Sequence, residues 1–337
     1  MKIKVSELIV RYLEKIGVET IFGMPGAHIL PVYDGLYDSA IESVLVKHEQ
    51  GAAFMAGGFA RASGKIGACI TTAGPGATNL VTGIANAYAD KLPLIVITGE
   101  APTYIFGKGG LQESSGEGGS IDQGKLFEGI ARYHKIVERT DYLANILNNA
   151  SNILFSETSG PVVLSLPFNI QNEMVDEDIL QSVKTRRKPA ACHSENSAIH
   201  NFAQHIINAK KPVLVCGYGC LRAGAQSQLE QLSKQLNIPV TSSLKAKGAI
   251  DETSARSLGS LGVTSSGYAY DYIVNQADLI IILGAGFNER TSYLWNKTLL
   301  AGKKIVQVDV SEQQLEKVYL ADLAIHADIK QTLSALL

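Results

Sequence analysis

Long apolar runs are missing from this chain. None approaches the roughly 20 residues needed to cross a bilayer, and residues 1–8 lack the apolar core and small-residue cleavage site of a secretory signal. Those absences lead to the expectation of a cytoplasmic protein. An excess of one charge is missing too: Lys and Arg number 30 and Asp and Glu 32, a formal net charge of −2 without a basic or acidic block. Neither nucleic acid nor an anionic membrane is therefore indicated as a partner. Cysteine is scarce. The four residues, Cys69, Cys192, Cys216 and Cys220, are scattered without the paired spacing of metal ligands, and the one close pair brackets Gly217-Tyr218-Gly219 after an apolar run, which fits a turn better than a metal site. What is present is a globular balance, 46% hydrophobic and 18% charged, over 337 residues. That length suits two domains of ordinary size.

Apolar patterning alternates between the two regular periods. Residues 6–16 carry Leu8, Ile9, Tyr12, Leu13 and Ile16, a helical stripe closed by Gly17. Strands are predicted at 20–23, from 43 up to Glu49, at 68–72, at 94–98 and at 160–167, with helices at 29–39, after Glu49, and at 80–89, 126–133 and 142–155. Continuous apolar strands such as 94–98 are those buried on both faces of a parallel sheet. Residues 100–123, rich in Gly and Ser, form a long loop of the functional kind. Residues 173–190 are charged and weakly periodic and read as a linker, with the basic cluster 184–189 as solvated chain. A second alternating unit follows, with helices at 198–209, 225–236 and 269–276 and strands at 212–216, 239–242, 279–283, 304–308 and within 324–330. The class is α/β: two doubly wound domains with mainly parallel sheets, at 1–172 and 191–337.

Within this frame Glu49 stands out. An apolar, partly β-branched run ends at it, and the small-residue segment Gly51-Ala52-Ala53 opens a helix just after. A carboxylate at the C-terminal tip of a strand lies on the edge where open α/β sheets collect ligands. It can equally complement the positive end of the following helix, worth only ~0.3–1 kcal/mol. Gly74-Pro75-Gly76 permits a tight strand-to-helix turn whose glycines let backbone approach a flat ring, although such a turn alone is common. His28 and His48 flank this region and read as structural residues. Gly217-Tyr218-Gly219 is a partial dinucleotide fingerprint without its third glycine, a weak signal.

Taken together, Gly23-Met24-Pro25-Gly26, the Glu49 stretch and Thr72-Ala73-Gly74-Pro75-Gly76-Ala77-Thr78-Asn79 resemble, in order and spacing, the pyrimidine-binding domain of thiamine-diphosphate-dependent enzymes, nearest the acetolactate synthase branch. The resemblance implies that Glu49 is the glutamate that activates the cofactor's aminopyrimidine. Such a carboxyl must exchange a proton near neutral pH, which withdrawal from water permits. It also implies a pyrimidine pocket of Pro25, Gly26, Thr72, Pro75, Gly76 and Asn79, with Gln112 on the substrate side. Two departures occur there: Glu100 stands where those enzymes commonly carry glutamine, and residues 114–121 look like an insertion.

The second domain corresponds to a Rossmann-like central domain that holds FAD in acetolactate synthases. Here Thr264 replaces a histidine and Gly286 an arginine expected to contact the flavin, so a flavin-free structural domain is expected. The family's metal-binding Gly-Asp-Gly is absent from the 337 residues. No metal ligand is assigned, and Mg2+ and the diphosphate are expected to be held by a further domain, either in a longer chain or on a separate subunit. The implied function is decarboxylation and carboligation of a 2-oxoacid of the pyruvate type by a homodimer or tetramer, joined through Ala52, Ala53, Ala56, Gly57 and Gly58, with the isolated chain inactive. The alternative is a flavin- or nucleotide-binding regulatory module of the same fold.

Overall fold

The computed structural model describes residues 1–183, 185 and 196–337. Most of the basic cluster 184–189, and Cys192, lie outside the described residues. Contacts divide the chain into two compact units, Met1–Lys188 and Pro189–Leu337. Among the described residues no helix is long and apolar enough to cross a membrane.

The first unit begins with β1 (Lys2–Lys4) and α1 (Val5–Lys15), whose stripe Leu8, Ile9, Tyr12 and Leu13 is fully buried. Gly17, at φ +84, ends that helix in a conformation that costs glycine little. Then come β2 (Thr20–Gly23), α2 (Leu30–Tyr37), β3 (Glu42–Leu45), α3 (Glu49–Ser63), β4 (Gly67–Thr71), α4 (Pro75–Asn79), α5 (Val81–Ala89) and β5 (Leu94–Glu100). The unit closes with α6 (Gln123–Glu128), β6 (Tyr133–Ile136), α7 (Leu143–Leu154), β7 (Pro161–Pro167), α8 (Phe168–Gln171) and β8 (Met174–Asp176). Six strands form one parallel sheet in the order β3-β2-β4-β5-β7-β6. β4, β5 and β7 are buried along their whole length, as expected for strands covered by helices on both faces.

Three differences from the sequence pattern stand out in this unit. Residues 126–133 are not one helix: α6 ends at Glu128 and Tyr133 opens β6, a half-buried edge strand whose pattern resembles a helix stripe. Residues 174–176, inside the predicted linker, form β8, which pairs antiparallel with β1. Glu49 lies beyond β3, because that edge strand ends at Leu45 and is largely exposed.

A further correction concerns α3. Of the five small residues expected on a subunit interface, Ala52, Ala53, Ala56 and Gly57 are buried within the unit and Gly58 alone is exposed. A Cβ at Gly67 of β4 would lie 2.1 Å from the carbonyl oxygen of Ala56, and one at Gly83 of α5 would lie 2.4 Å from Cβ of Ala53. These small residues therefore serve close helix-on-sheet and helix-on-helix packing. The outer face of α3 carries Phe54 and Met55 instead, both exposed.

The second unit comprises α9 (Asn196–Asn208), β9 (Pro212–Cys216), α10 (Tyr218–Arg222), α11 (Gln226–Leu236), β10 (Val240–Ser242), β11 (Ser257–Ser260), α12 (Tyr268–Asn275), β12 (Leu279–Leu283), β13 (Lys304–Asp309), β14 (Leu323–His326) and α13 (Ile329–Leu336). Its parallel sheet runs β11-β10-β9-β12-β13-β14. β11 and α10 have no counterpart in the sequence reading, because both are short and carry no sustained apolar period. Both units are thus doubly wound α/β domains, as the alternation of elements implies.

Candidate functional site

In the first unit β2 is followed on one side by β3 and on the other by β4, so the strand order reverses between β2 and β4. Ligands in such sheets gather beyond the C-terminal ends of the strands at that reversal. The segments leaving β2 and β4 meet there. A Cβ at Gly26 would sit 2.6 Å from Cβ of Thr72, and the His28 N–H donates to Thr72 Oγ1 at 3.4 Å. Pro25, beside Gly26, is exposed, as is Pro75.

Glu49 reaches the same edge from the first turn of α3. His48 caps α3, its Nδ1 accepting from the Gln50 N–H at 3.1 Å, which sets Glu49 in the first helical turn. The residue is 9% exposed. Its Oε2 accepts from the side-chain amide of Asn79 at 2.9 Å, whereas Oε1 has no hydrogen-bond partner among the described residues. Asn79 closes α4, whose start is built by Gly74, at φ +57, and Pro75. A Cβ at Gly76 would lie 2.5 Å from Thr71 Oγ1, 2.9 Å from Thr72 Cγ2 and 3.6 Å from Glu49 Oε1. Thr71 Oγ1 is buried and without a partner. The bare glycine lets α4 close on Thr71 and Thr72, and beside it stand an orphaned hydroxyl and a carboxyl oxygen without a partner, two polar atoms available to a ligand that approaches the glycine backbone.

Gln112 arrives from the long loop. Its backbone is left-handed at φ +55, an unusual conformation for a residue with a side chain. The backbone and Cβ of Gln112 lie over Gly74, close enough that a Cβ on Gly74 would be 3.0 Å from the Gln112 carbonyl oxygen. Its Oε1 accepts from Thr72 Oγ1 at 3.3 Å and lies 3.2 Å from His28 Nδ1. Every residue expected at the site therefore falls on one sheet edge.

The sequence reading missed what orders the loop. Glu113 is a hub: it accepts from the N–H groups of Gly107 at 2.6 Å and Gly110 at 2.9 Å and from Ser115 Oγ at 2.7 Å. Those bonds, led by that from Gly107, hold its carboxyl below the usual carboxylate range. A carboxylate set among Gly and Ser was the available signal, since such residues offer backbone and hydroxyl donors. His28, read as structural, is buried and bonded to Gln112.

The second unit reverses its strand order between β9 and β12, where the partial Gly-x-Gly lies. The Gly217 N–H donates to the Leu283 carbonyl at 2.8 Å and the Gly219 N–H to that of Gly284 at 3.1 Å. A Cβ at Gly217 would be 1.9 Å from the Gly284 oxygen. These glycines serve the mutual approach of two turns. Among the described residues no group of three or more His, Cys, Asp or Glu side chains is placed to hold a metal ion.

Comparison with known proteins identifies the two domains. Residues 3–119 match the model of the thiamine pyrophosphate enzyme N-terminal TPP binding domain, and residues 199–336 match that of the thiamine pyrophosphate enzyme central domain. The chain is 35% identical over 337 residues to a probable acetolactate synthase large subunit of Methanocaldococcus jannaschii, covering 99% of this chain and 56% of that protein. It is 36% identical to the acetolactate synthase isozyme 1 large subunit of Escherichia coli, over 98% of this chain and 57% of that protein. With an acetolactate synthase of Arthrospira platensis it shares 35% identity, over 96% and 56% respectively. The chain spans a little over half the length of these curated relatives. On these matches the chain belongs to the thiamine pyrophosphate enzymes and carries their N-terminal TPP binding domain and their central domain.

Proposed function

We propose that the chain is the pyrimidine-holding and central part of an acetolactate-synthase-type enzyme, which decarboxylates a 2-oxoacid such as pyruvate and joins the remaining fragment to a second carbonyl. The observation that carries this reading is Glu49, buried in the first turn of α3, with Oε2 fixed by Asn79 and Oε1 open toward the bare backbone of Gly76. Thiamine diphosphate, when bound, supplies the carbon nucleophile. This chain's residues hold and orient its pyrimidine: Pro25, Gly26, Pro75 and Gly76 form the walls, Thr72 fixes the turn, and Glu49 Oε1 holds and returns a proton at a ring nitrogen. Asn79 orients that carboxyl. Gln112, braced by Thr72 and His28, faces the substrate side.

The diphosphate and its Mg2+ are assigned to residues outside this chain, so the 337 residues alone are expected to bind thiamine diphosphate weakly and to turn over no substrate. The central domain is read as structural and flavin-free, in keeping with the packing of Gly217 and Gly219 on Gly284. Self-association is assigned to the exposed Leu45, Phe54 and Met55 rather than to the buried alanines of α3. The test is to combine the chain with a diphosphate-binding domain of a relative and compare wild type with Glu49→Gln for exchange of the cofactor's reactive-carbon proton and for pyruvate consumption. Equal rates would sink the assignment.

A further inference from the structure

Six side chains inside the first unit are joined by six close contacts, and the hydrogens available to them can be counted. Ser114 Oγ lies 2.5 Å from Glu100 Oε2 and 3.1 Å from Gln123 Oε1. Gln123 Nε2 donates to Thr98 Oγ1 at 2.9 Å and to Ser165 Oγ. Thr98 Oγ1 lies 2.9 Å from Ser165 Oγ, which in turn lies 3.0 Å from His134 Nε2. All but His134 are buried.

From His134 inward the hydrogens suffice. Ser165 donates to Nε2 of a neutral imidazole, Thr98 donates to Ser165, and the two amide hydrogens of Gln123 serve Thr98 and Ser165. The shortage is at Ser114, whose single hydroxyl hydrogen faces two acceptors, a carboxylate oxygen and an amide oxygen. Turning the Gln123 amide round does not cure it. The carbonyl would then face Thr98 and Ser165, one contact among Thr98, Ser165, Gln123 and His134 would lack a hydrogen, and one buried amide N–H would lack an acceptor. A proton on Glu100 closes the count: Glu100 donates to Ser114, and Ser114 donates to Gln123. The other oxygen of Glu100 is already an acceptor, taking the N–H groups of Ala101 at 2.7 Å and Ser114 at 3.0 Å. One oxygen accepting and the other donating is also the layout of a glutamine side chain.

We propose that Glu100 is a positioning residue that works as the neutral carboxylic acid: its proton pins Ser114 to the end of β5 and so seats Gln112, two residues earlier, over Gly74 and between Thr72 and His28. The protonation concerns this chain alone and stands whether or not the assigned reaction does; only the consequence for Gln112 rests on the site described above. Burial favours the same state by pushing the Glu100 carboxyl up, against hydrogen bonds from Ser114 and Ala101 and the charge of His28, which all act to lower it. His28 faces Glu100 from the segment before α2. His134 stands at the far end of the network, with Asp122 and Lys135 near it.

Because the folded-state pKa is raised, the stability from this arrangement is complete below the unfolded value of about 4.3 and is lost as pH rises through the folded one. Glu100→Gln keeps the donor and the acceptor and cannot ionise. Melting temperatures of the two chains, without cofactor, are expected to agree near about pH 5 and to diverge toward about pH 9, with Glu100→Gln ahead by at least about 3 °C. Infrared spectra of wild type at neutral pH should show the carbonyl stretch of a protonated carboxyl, missing from Glu100→Gln. Parallel melting curves across that range, or no protonated-carboxyl band in wild type, would overturn the proposal. The wild-type spectrum decides the matter even if the variant folds poorly.

Discussion

Both units place glycines at the point where their strand order reverses, and they pack them on different atoms. At the β2/β4 edge Gly26 and Gly76 pack on the side chains of Thr72 and Thr71, beside the unpartnered oxygen of Glu49. At the β9/β12 edge Gly217, Gly219 and Gly284 close on one another, backbone to backbone. A missing Cβ can admit a neighbouring side chain or a second backbone, and sequence shows only the missing Cβ. What separates the two edges is whether neighbouring elements deliver polar side chains to them. In the first unit α3 brings Glu49, α4 brings Asn79 and the long loop between β5 and α6 brings Gln112.

The largest effect expected from this contrast is chemical. Glu49→Gln, in the complemented enzyme, should lower proton exchange at the cofactor by roughly 10²–10⁴-fold, the range for loss of a positioned acid or base. Melting of the chain should barely change, because the amide oxygen of the substituted side chain can still accept from Asn79. The second unit should respond in the opposite currency, with folding lost and chemistry untouched by design. In Gly217→Ala the new Cβ would sit 1.9 Å from the Gly284 oxygen, with backbone on both sides unable to yield, so a loss of about 3 kcal/mol or more is expected in chemical denaturation. Gly76→Ala meets mainly side-chain atoms of Thr71 and Thr72 and should cost less, about 1–2 kcal/mol, while abolishing pyrimidine binding. A well-folded Gly217→Ala chain would break the comparison.

Acid sharpens it. Burial holds His134 down to about 4, below the ordinary 6.5. A histidine depressed in the folded state contributes stability that is present above its unfolded pKa and lost as pH falls from about 6.5 toward about 4. The contribution of His134 to the first unit should therefore fall by on the order of 1–3 kcal/mol over that interval, against the opposite trend from Glu100, and His134→Gln should remove it. In the second unit the buried thiol Cys216 is held well above its usual value by the neighbouring Cys220 thiol and by burial, so it does not titrate there. A calorimetric scan in which both units shifted equally between neutral and acid pH would count against the distinction.

How much of this was legible in the sequence depended on what each residue buries. β5, β9 and β12 are continuous apolar runs covered on both faces, and two of them have the bounds the pattern implies, at 212–216 and 279–283. β1, β6, β8 and β11 are short or lie at sheet edges, where half-exposed residues leave no clear period. Glu49 and the glycine turns were visible because side-chain identity carries their role. The seating of the long loop was not, because Glu113 is bound by backbone N–H groups that every residue but proline possesses. Glu100 was visible as a departure, but its meaning depends on Ser114 and Gln123, which only the fold brings to it.

The smallest effects concern glycine that serves no close contact. α3 ends on Gly64 at φ +72, and a Cβ there would meet nothing within 4 Å. Gly64→Ala should therefore cost only the strain of the left-handed backbone, about 1 kcal/mol, with no steric part. α11 ends in the same conformation on Asn237, at φ +51, without glycine. Asparagine tolerates that region, so Asn237→Gly relieves little strain and loses part of the gain to the greater freedom of glycine in the unfolded chain. A net gain of about 0.3–0.5 kcal/mol is expected from denaturation midpoints. A Gly64→Ala loss as large as that of Gly217→Ala would mean that left-handed strain, rather than the backbone contact at Gly284, accounts for the sensitivity of glycine in both units.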